Sequence, residues 1–464
     1  MDTQGNRRLS KGQKAATTFA ALGGFVDGFD LLLISAALLL LVPYFDLTAA
    51  QVGLLVSSAY LGSWLGALVF GYYTDRKGRR TVFILNMVAF IITSILCALA
   101  PTYAILLVCR FLVGIAIGMD FPTAGAMISE FAPPRDRGKL LSMWQLLWSL
   151  GALTSPFVAI VLFPLGDEAW RWMFATGAVP ALLILIGRSQ IPETPRWLLS
   201  QGRVEEAREV LAWAEQPTDL LATELPTGDL AGPENAPTST LAAFRQLFSP
   251  QYWKITILLS AVCFTGAFGP LFLSTYSSFL AKFYGFTTDV QALLFGSVIW
   301  VFYLVGNVLN LVLTDRVGRK PLLVGGAIVI TLVLIAASQI GIEGNVALVF
   351  SVLVIAAVAH WGGVDQGIWQ YPAEVFPTRF RATGRGFTTS FIRLSAFLAA
   401  LVTPIMFDAI GFSSTMLVLA AIEMTVIVLG LFLPEMKGRS LEEIESEYEE
   451  KEQPQYVKEG PHSV

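Results

Sequence analysis

Twelve stretches of this 464-residue chain carry almost no charge, and each is long enough to cross a bilayer. They run 16–42, 51–73, 81–100, 103–129, 140–164, 170–187, 254–281, 290–313, 321–340, 345–371, 386–408 and 413–433. A lipid-spanning helix needs about 20 apolar residues. Hydrocarbon also demands that every backbone polar group be paired, which leaves helices or a closed barrel. The stretches lack the apolar–polar alternation of barrel strands, so helices are expected. Charged residues make up only 14% of the chain, against about 25% in soluble proteins. That excludes a water-soluble globule, and it is opposite to the balance of a disordered chain. A net charge of −4 argues against a nucleic-acid partner. Cys97, Cys109 and Cys263 sit inside apolar runs and offer neither a disulfide framework nor metal-ligand spacing. The polar start leads into a long span and not into a short cleavable core.

Basic residues predict orientation. Of 31 Lys and Arg, 27 fall in alternate loops and the two ends. The positive-inside rule then places both termini in the cytoplasm, which an even span count permits. The expected layout is a cytoplasmic N-terminus (1–15), a six-helix half (16–187), a cytoplasmic connection (188–253), a second six-helix half (254–433) and a cytoplasmic tail (434–464). Within the connection, 203–215 reads as an amphipathic surface helix and 216–240 as a flexible linker. Single cysteines at 46, 166 and 343 are predicted to react from outside, and those at 78 and 318 only from the cytoplasm.

The chain repeats itself. Asp75-Arg-Lys-Gly-Arg-Arg80 recurs as Asp315-Arg-Val-Gly-Arg-Lys320, 240 residues later. Glu130-Phe-Ala-Pro-Pro-Arg135 recurs in outline as Glu374-Val-Phe-Pro-Thr-Arg379, and Pro192-Glu193 as Pro434-Glu435. Three motifs with one spacing imply a duplicated unit in parallel orientation, a construction of secondary transporters. The paired basic loops resemble the signature of the major facilitator superfamily. Arg110-Phe-Leu-Val-Gly114, Pro192-Glu-Thr-Pro-Arg-Trp197, Glu374-Val-Phe-Pro-Thr378 and Pro434-Glu-Met-Lys-Gly-Arg439 resemble its sugar-porter branch. The resemblance covers residues 16 to about 445. It implies an all-α membrane protein of twelve helices in two halves, with short cytoplasmic helices between them. It also implies a cell-membrane transporter for a small polar metabolite, working by alternating access on a proton gradient, with no other cofactor. A monomer is expected. Sugar-like or polyol-like cargo leads, with an organic acid such as a carboxylate or nicotinate-like solute as the alternative. A proton-independent facilitator and a non-transporting receptor are the remaining readings. No nucleophile elbow, zinc motif or phosphate loop points to an enzyme.

Ionisable groups deep in lipid are expensive and therefore mark function. Asp27 and Asp30 in the first span, spaced three apart, and Asp120 in the fourth are candidates for proton coupling. The resemblance places Asp30 at the sugar porters' span-one aspartate and Arg110 at its arginine partner. It places Gln145 and Trp369 at sugar-contacting positions, but the amides expected in the seventh span are missing. Candidate replacements and further contacts are Trp148, Thr265, Tyr276, Asn307, His360, Asp365, Gln366 and Arg393. Asp365 and Arg393 either neutralise each other or leave Arg393 open to an anion. A cytoplasmic gate is expected from Asp75, Arg79, Glu130, Arg137, Glu193, Asp315, Arg319, Glu374, Arg381 and Glu435, with pairs across the two halves. Gly23, Gly24, Gly62, Gly66, Gly114 and Gly118 are expected to let helices approach closely.

Overall fold

The computed structural model describes residues 9–133, 136–215, 240–275, 288–341, 346–376 and 381–437. Helices dominate, and no strand occurs among the described residues. The first half contains span one (Lys11–Phe45), span two (Ala49–Lys77), span three (Arg79–Ala98), span four (Tyr103–Phe131), span five (Arg137–Leu162) and span six (Ala169–Ser189). Short helices Pro195–Ser200, Val204–Trp213 and Thr240–Leu247 follow. The second half contains span seven (Trp253–Thr275), span eight (Asp289–Val317) and span nine (Arg319–Ile340). Span ten is built from Val346–Ala359, a π-helical turn His360–Val364 and Asp365–Val375. Spans eleven and twelve lie within Arg381–Leu431 and part at Gly411, whose φ of 75° no ordinary helix tolerates. Among the described residues, eleven helices are long and apolar enough to cross a membrane, and Trp253–Gly269 is a shorter apolar one.

Span one begins at Lys11, five residues before the expected start. Its first turn is polar and gave no apolar signal, but Ser10 caps it. The Ser10 hydroxyl accepts the Gln13 N–H at 3.1 Å, and the Gln13 side chain accepts the Ser10 N–H at 3.1 Å. The same hydroxyl donates to the Ala214 carbonyl at 2.6 Å, tying the chain's start to the amphipathic helix. Of the expected linker 216–240, residues 216–239 lie outside the described residues, and Thr240 opens the helix Thr240–Leu247.

Duplication is visible in the local chemistry. Thr48 with Gln51, and Thr288 with Gln291, form equivalent capping boxes at the starts of spans two and eight. Gly78 and Gly318 turn the two basic loops with φ of 101° and 110°. Glu193 accepts the backbone N–H of Arg79 at 3.1 Å, and Glu435 that of Arg319 at 3.1 Å. These motifs mark one end of the molecule, called here the basic end.

Labelling sites follow from this geometry. A cysteine at 78 or 318 meets strained backbone and the Glu193 or Glu435 carboxylate, and 343 lies outside the described residues. Exposed Lys77 and Arg316 at the basic end, and Asp46 and Asp167 at the opposite end, take the label instead. Cysteines at 46 and 167 are expected to react with an impermeant maleimide on intact cells. Those at 77 and 316 are expected to react only after permeabilisation, and the reverse pattern would invert the orientation.

Close backbone approach brings the helices together. A Cβ at Gly28 would strike the Trp148 carbonyl, and one at Gly151 the Phe25 carbonyl, so spans one and five cross in direct contact. Gly24, Phe25, Gly28 and Phe29 form the face of span one at that crossing, and Asp30 turns instead to Arg110 of span four. Outward-facing residues such as Leu99, Val161 and Phe432 are apolar, as lipid requires.

Candidate functional site

The interior holds three charged groupings. The first is Asp30 with Arg110, both buried, where Arg110 Nη1 donates to Asp30 Oδ2 at 2.6 Å. The contact is single: Arg110 Nε and Nη2 are buried without hydrogen-bond partners, and the guanidinium lies over the Phe174 ring at 5.3 Å. A bidentate fork would use two donors.

The second surrounds Asp120. Its Oδ1 accepts from Arg188 Nη2 at 2.7 Å and Asn86 Nδ2 at 2.6 Å, and its Oδ2 from Trp144 Nε1 at 3.3 Å. Arg188 also donates to Asn86 Oδ1 at 2.8 Å, the Phe83 carbonyl at 3.1 Å and the Phe19 carbonyl at 3.2 Å. A Cβ at Gly23 would collide with both Asp120 and Arg188, so the network fits against bare backbone. Counting charges by loop puts Arg188 in the connection after span six, but it is fully buried inside the first half. Its long side chain folds back from the helix end to reach a counter-charge. Asn86 and Trp144 had no sequence signal beyond their polarity.

The third lies between the halves. Gln145 Nε2 donates to Asp365 Oδ2 at 2.7 Å, and Trp369 Nε1 to Asp365 Oδ1 at 3.0 Å. His360 Nε2 is 3.8 Å from the same carboxylate. Asp365 and Arg393 therefore do not form the direct pair that was one expectation. Arg393 is buried, makes no hydrogen bond among the described residues, and lies 5.9 Å from the Trp369 ring centre. Its electrostatic neighbours are Asp27, Tyr60 and Asp365. Asp27 is buried, and neither of its carboxyl oxygens has a hydrogen-bond partner.

Aromatic rings and amides surround this group. Trp148 stacks on Trp361 at 5.3 Å and meets Trp300 at 5.6 Å. Trp369 packs on Phe121 at 4.3 Å and on Trp144 at 6.1 Å. Asn307 Nδ2 donates to the Ser149 hydroxyl at 2.8 Å. Thr265 donates to the Ala261 carbonyl of its own helix at 2.9 Å. Tyr276 and the Gln366 side chain lie outside what is described.

At the basic end, Arg79 pairs with Asp75 at 2.9 Å and with Glu130 at 3.1 Å. Burial pushes the Glu193 carboxyl above the ordinary carboxylate range, against the opposing pull of the backbone N–H groups it accepts. All these contacts stay within one half. Pairs across the halves were expected, but the described carboxylates serve the neighbouring helix starts of their own repeat. The side chains of Arg137, Asp315, Glu374 and Arg381 lie outside what is described. The crossing contact that is described is Arg385 of span eleven, 4.9 Å from the Phe121 ring centre of span four. Inter-half contacts thus include Trp148 with Trp300, beside Gly28 and Asp27, and Arg385 with Phe121 toward the basic end.

Two six-helix halves closing on buried charges, amides and aromatic rings define a membrane transporter. The chain belongs to the sugar (and other) transporter family, whose family model matches residues 16–448. It is 33% identical over 422 residues to the putative metabolite transport protein YaaU of Escherichia coli, covering 90% of this chain and 91% of that one. It is 30% identical over 465 residues to the major myo-inositol transporter IolT of Bacillus subtilis, covering 97% and 96%. The solved structure of the proton:xylose symporter XylE bound to 6-bromo-6-deoxy-D-glucose superposes with a TM-score of 0.83. That alignment has 24% identity and covers 95% of this chain and 100% of the other.

Proposed function

We propose that this protein is a proton-coupled symporter of a neutral hydroxylated metabolite, a sugar or polyol. The observation that carries the coupling is a charge imbalance. Around these groupings lie four buried carboxyls, Asp27, Asp30, Asp120 and Asp365, against three buried guanidiniums, Arg110, Arg188 and Arg393, while a fifth buried carboxyl, Glu423, stands apart on span twelve. Two pairs are closed, which leaves Asp27 and Asp365 with Arg393 alone. An uncompensated charge in this setting is too costly to keep, and one proton balances it. Asp365 accepts two hydrogen bonds and Asp27 none, so the proton sits on Asp27 in this arrangement. The family resemblance implies a switch at Asp30, paired with Arg110 in one state and protonated in another; the pair here corresponds to the first of these, and Asp27 holds the proton while it is closed.

The surroundings support a neutral ring. Gln145, Asn307 and the indoles of Trp144, Trp148 and Trp369 offer donors, acceptors and flat apolar faces around the meeting of the halves. Gln145–Asp365 and Asn307–Ser149 join the halves directly, so a polyhydroxyl solute inserted there exchanges bonds like for like. The myo-inositol transporter and the proton:xylose symporter among the similar proteins agree with this reading. Orientation with both termini inside and residence in the cell membrane follow from the basic-loop bias. A second reading, an organic anion, is favoured by the Arg393 guanidinium without a hydrogen bond.

Thermal unfolding of the purified protein with ligand panels separates the two. A ligand at 100 times its Kd stabilises the folded form by about 2.7 kcal/mol. Monosaccharides and inositols are expected to raise the midpoint, and Gln145→Ala to remove that shift. Stabilisation by small monocarboxylates alone, lost in Arg393→Ala, would move the assignment to an organic-acid carrier.

A further inference from the structure

Span twelve carries an acid that the site above does not use. Glu423 is fully buried, and neither carboxyl oxygen has a hydrogen-bond partner. It lies on the stripe Leu419, Glu423, Val426, spaced four and three residues apart on one helix face. Both neighbours on that stripe touch span seven. A Cβ at Gly269 would lie 4.0 Å from Leu419, and one at Gly266 would lie 3.7 Å from Val426. The Gly266 position also faces span ten, 3.0 Å from Val364 and 3.5 Å from Ile368. Glu423 therefore sits behind the point where spans seven, ten and twelve meet, about mid-membrane by helical rise. No acid or base stands between Lys254 and Thr275 on span seven. One turn beyond Val426 on the same face of span twelve, Gly430 packs against Leu323 and Val324 of span nine. The titratable groups on the packed helices are Cys263, His360, Asp365, Tyr371, Arg385 and Arg393, with Lys254, Arg319 and Lys320 at the basic end. Cys263 donates to the Ile368 carbonyl, Asp365 is engaged by Gln145 and Trp369, and among the described contacts none bonds to Glu423.

From this geometry we infer that Glu423 is a second proton-binding site, in the C-terminal half. It is neutral while spans seven, ten and twelve are packed as seen, and it releases its proton when span seven parts from span twelve. The reasoning is that a carboxylate ion with no donor and no cation is not sustained in an apolar seam, whereas the neutral acid is. Opening the seam admits water, which solvates the ion and takes the proton. Gly266 lets span seven lie close to Val364 of span ten, and Gly266 and Gly269 present no side chain to span twelve, so the seam can separate without unlocking interdigitated groups. The inference extends the proposed symport by giving each half its own proton, and it does not depend on Asp27.

The test uses the full chain in lipid vesicles and needs no transported solute. Infrared difference spectra are recorded at mildly alkaline pH for wild type and Glu423→Gln. Wild type is expected to show the carbonyl stretch of a protonated carboxylic acid, absent from the variant. Gly266→Leu places a wedge against Val364 and Val426, and is expected to replace that band with carboxylate stretches. Gly266→Ala, a smaller wedge that packing accommodates more readily, is expected to convert at a pH below that of wild type and above that of Gly266→Leu. A wild-type spectrum without the assigned band would overturn the inference, as would a band unchanged in both wedge variants. Asp27→Asn is expected to keep the Glu423 band, so failure of the Asp27 assignment and failure of this one read out separately.

Discussion

Replacing Asp27 by asparagine is expected to abolish accumulation against a concentration gradient while leaving solute exchange at equilibrium largely intact. The amide keeps the volume of the carboxyl and the hydrogen-bonding character of the protonated form. It cannot release a proton, so inward and outward movement no longer exchange one with each side. Both Asp27 oxygens lack partners, so the substitution breaks no hydrogen bond of the closed arrangement and the protein should unfold at the wild-type temperature. Asp30→Asn makes the contrast. It strips Arg110 of its counter-charge at a fully buried position, and breaking such a pair costs about 3–5 kcal/mol. Proteoliposomes loaded with unlabelled solute measure exchange, and the same vesicles under an imposed pH gradient measure accumulation. If Asp27→Asn accumulates solute like wild type, the proton site lies elsewhere, with Asp365 next in line.

The largest stability effect is expected at Arg188. Arg188→Leu leaves Asp120 charged and buried beside Asn86 and Trp144 only, and about 3–5 kcal/mol should be lost. Arg188→Lys should recover little, because one ammonium cannot reproduce four directed bonds to Asp120, Asn86 and two carbonyls. Asp120→Asn combined with Arg188→Leu removes both charges and should be more stable than Arg188→Leu alone. Thermal unfolding in detergent reads all three variants. Wild-type stability in Arg188→Leu would show that Asp120 does not need its counter-charge, and would return it to the candidates for proton transfer.

These two cases show what the sequence carries and what it withholds. Spans, repeat and the partnership of Asp30 with Arg110 follow from apolar run length, motif spacing and family resemblance. They depend on position along the helix, which rise per residue converts into depth. Arg188 was missed because depth along the helix does not say where a long side chain turns. An arginine one turn from a loop can reach outward to water or inward to an acid, and only packing decides. Gln145 and Asp365 were each picked out, but for different partners. They lie 220 residues apart on different halves, so their meeting depends on helix rotation and on how the halves close. The π-helical turn His360–Val364 adds to the difficulty. One extra residue in the turn rotates everything beyond it by about 100°, so a regular helical count past His360 misplaces Asp365 relative to Arg393. The motifs of the two basic loops were legible as motifs, whereas their bonding within each half was not, because a carboxylate near a helix start has partners on both sides.

The central claim is that the buried charge excess makes transport depend on protons. Wild-type protein in sealed vesicles, given an inside-alkaline pH gradient and a labelled sugar or inositol that stabilises it, tests this directly. The account predicts internal solute rising above the external concentration and falling back to equality when a protonophore collapses the gradient. Equal final concentrations with and without the gradient would contradict it and make the protein a facilitator, and binding without any uptake would make it a receptor.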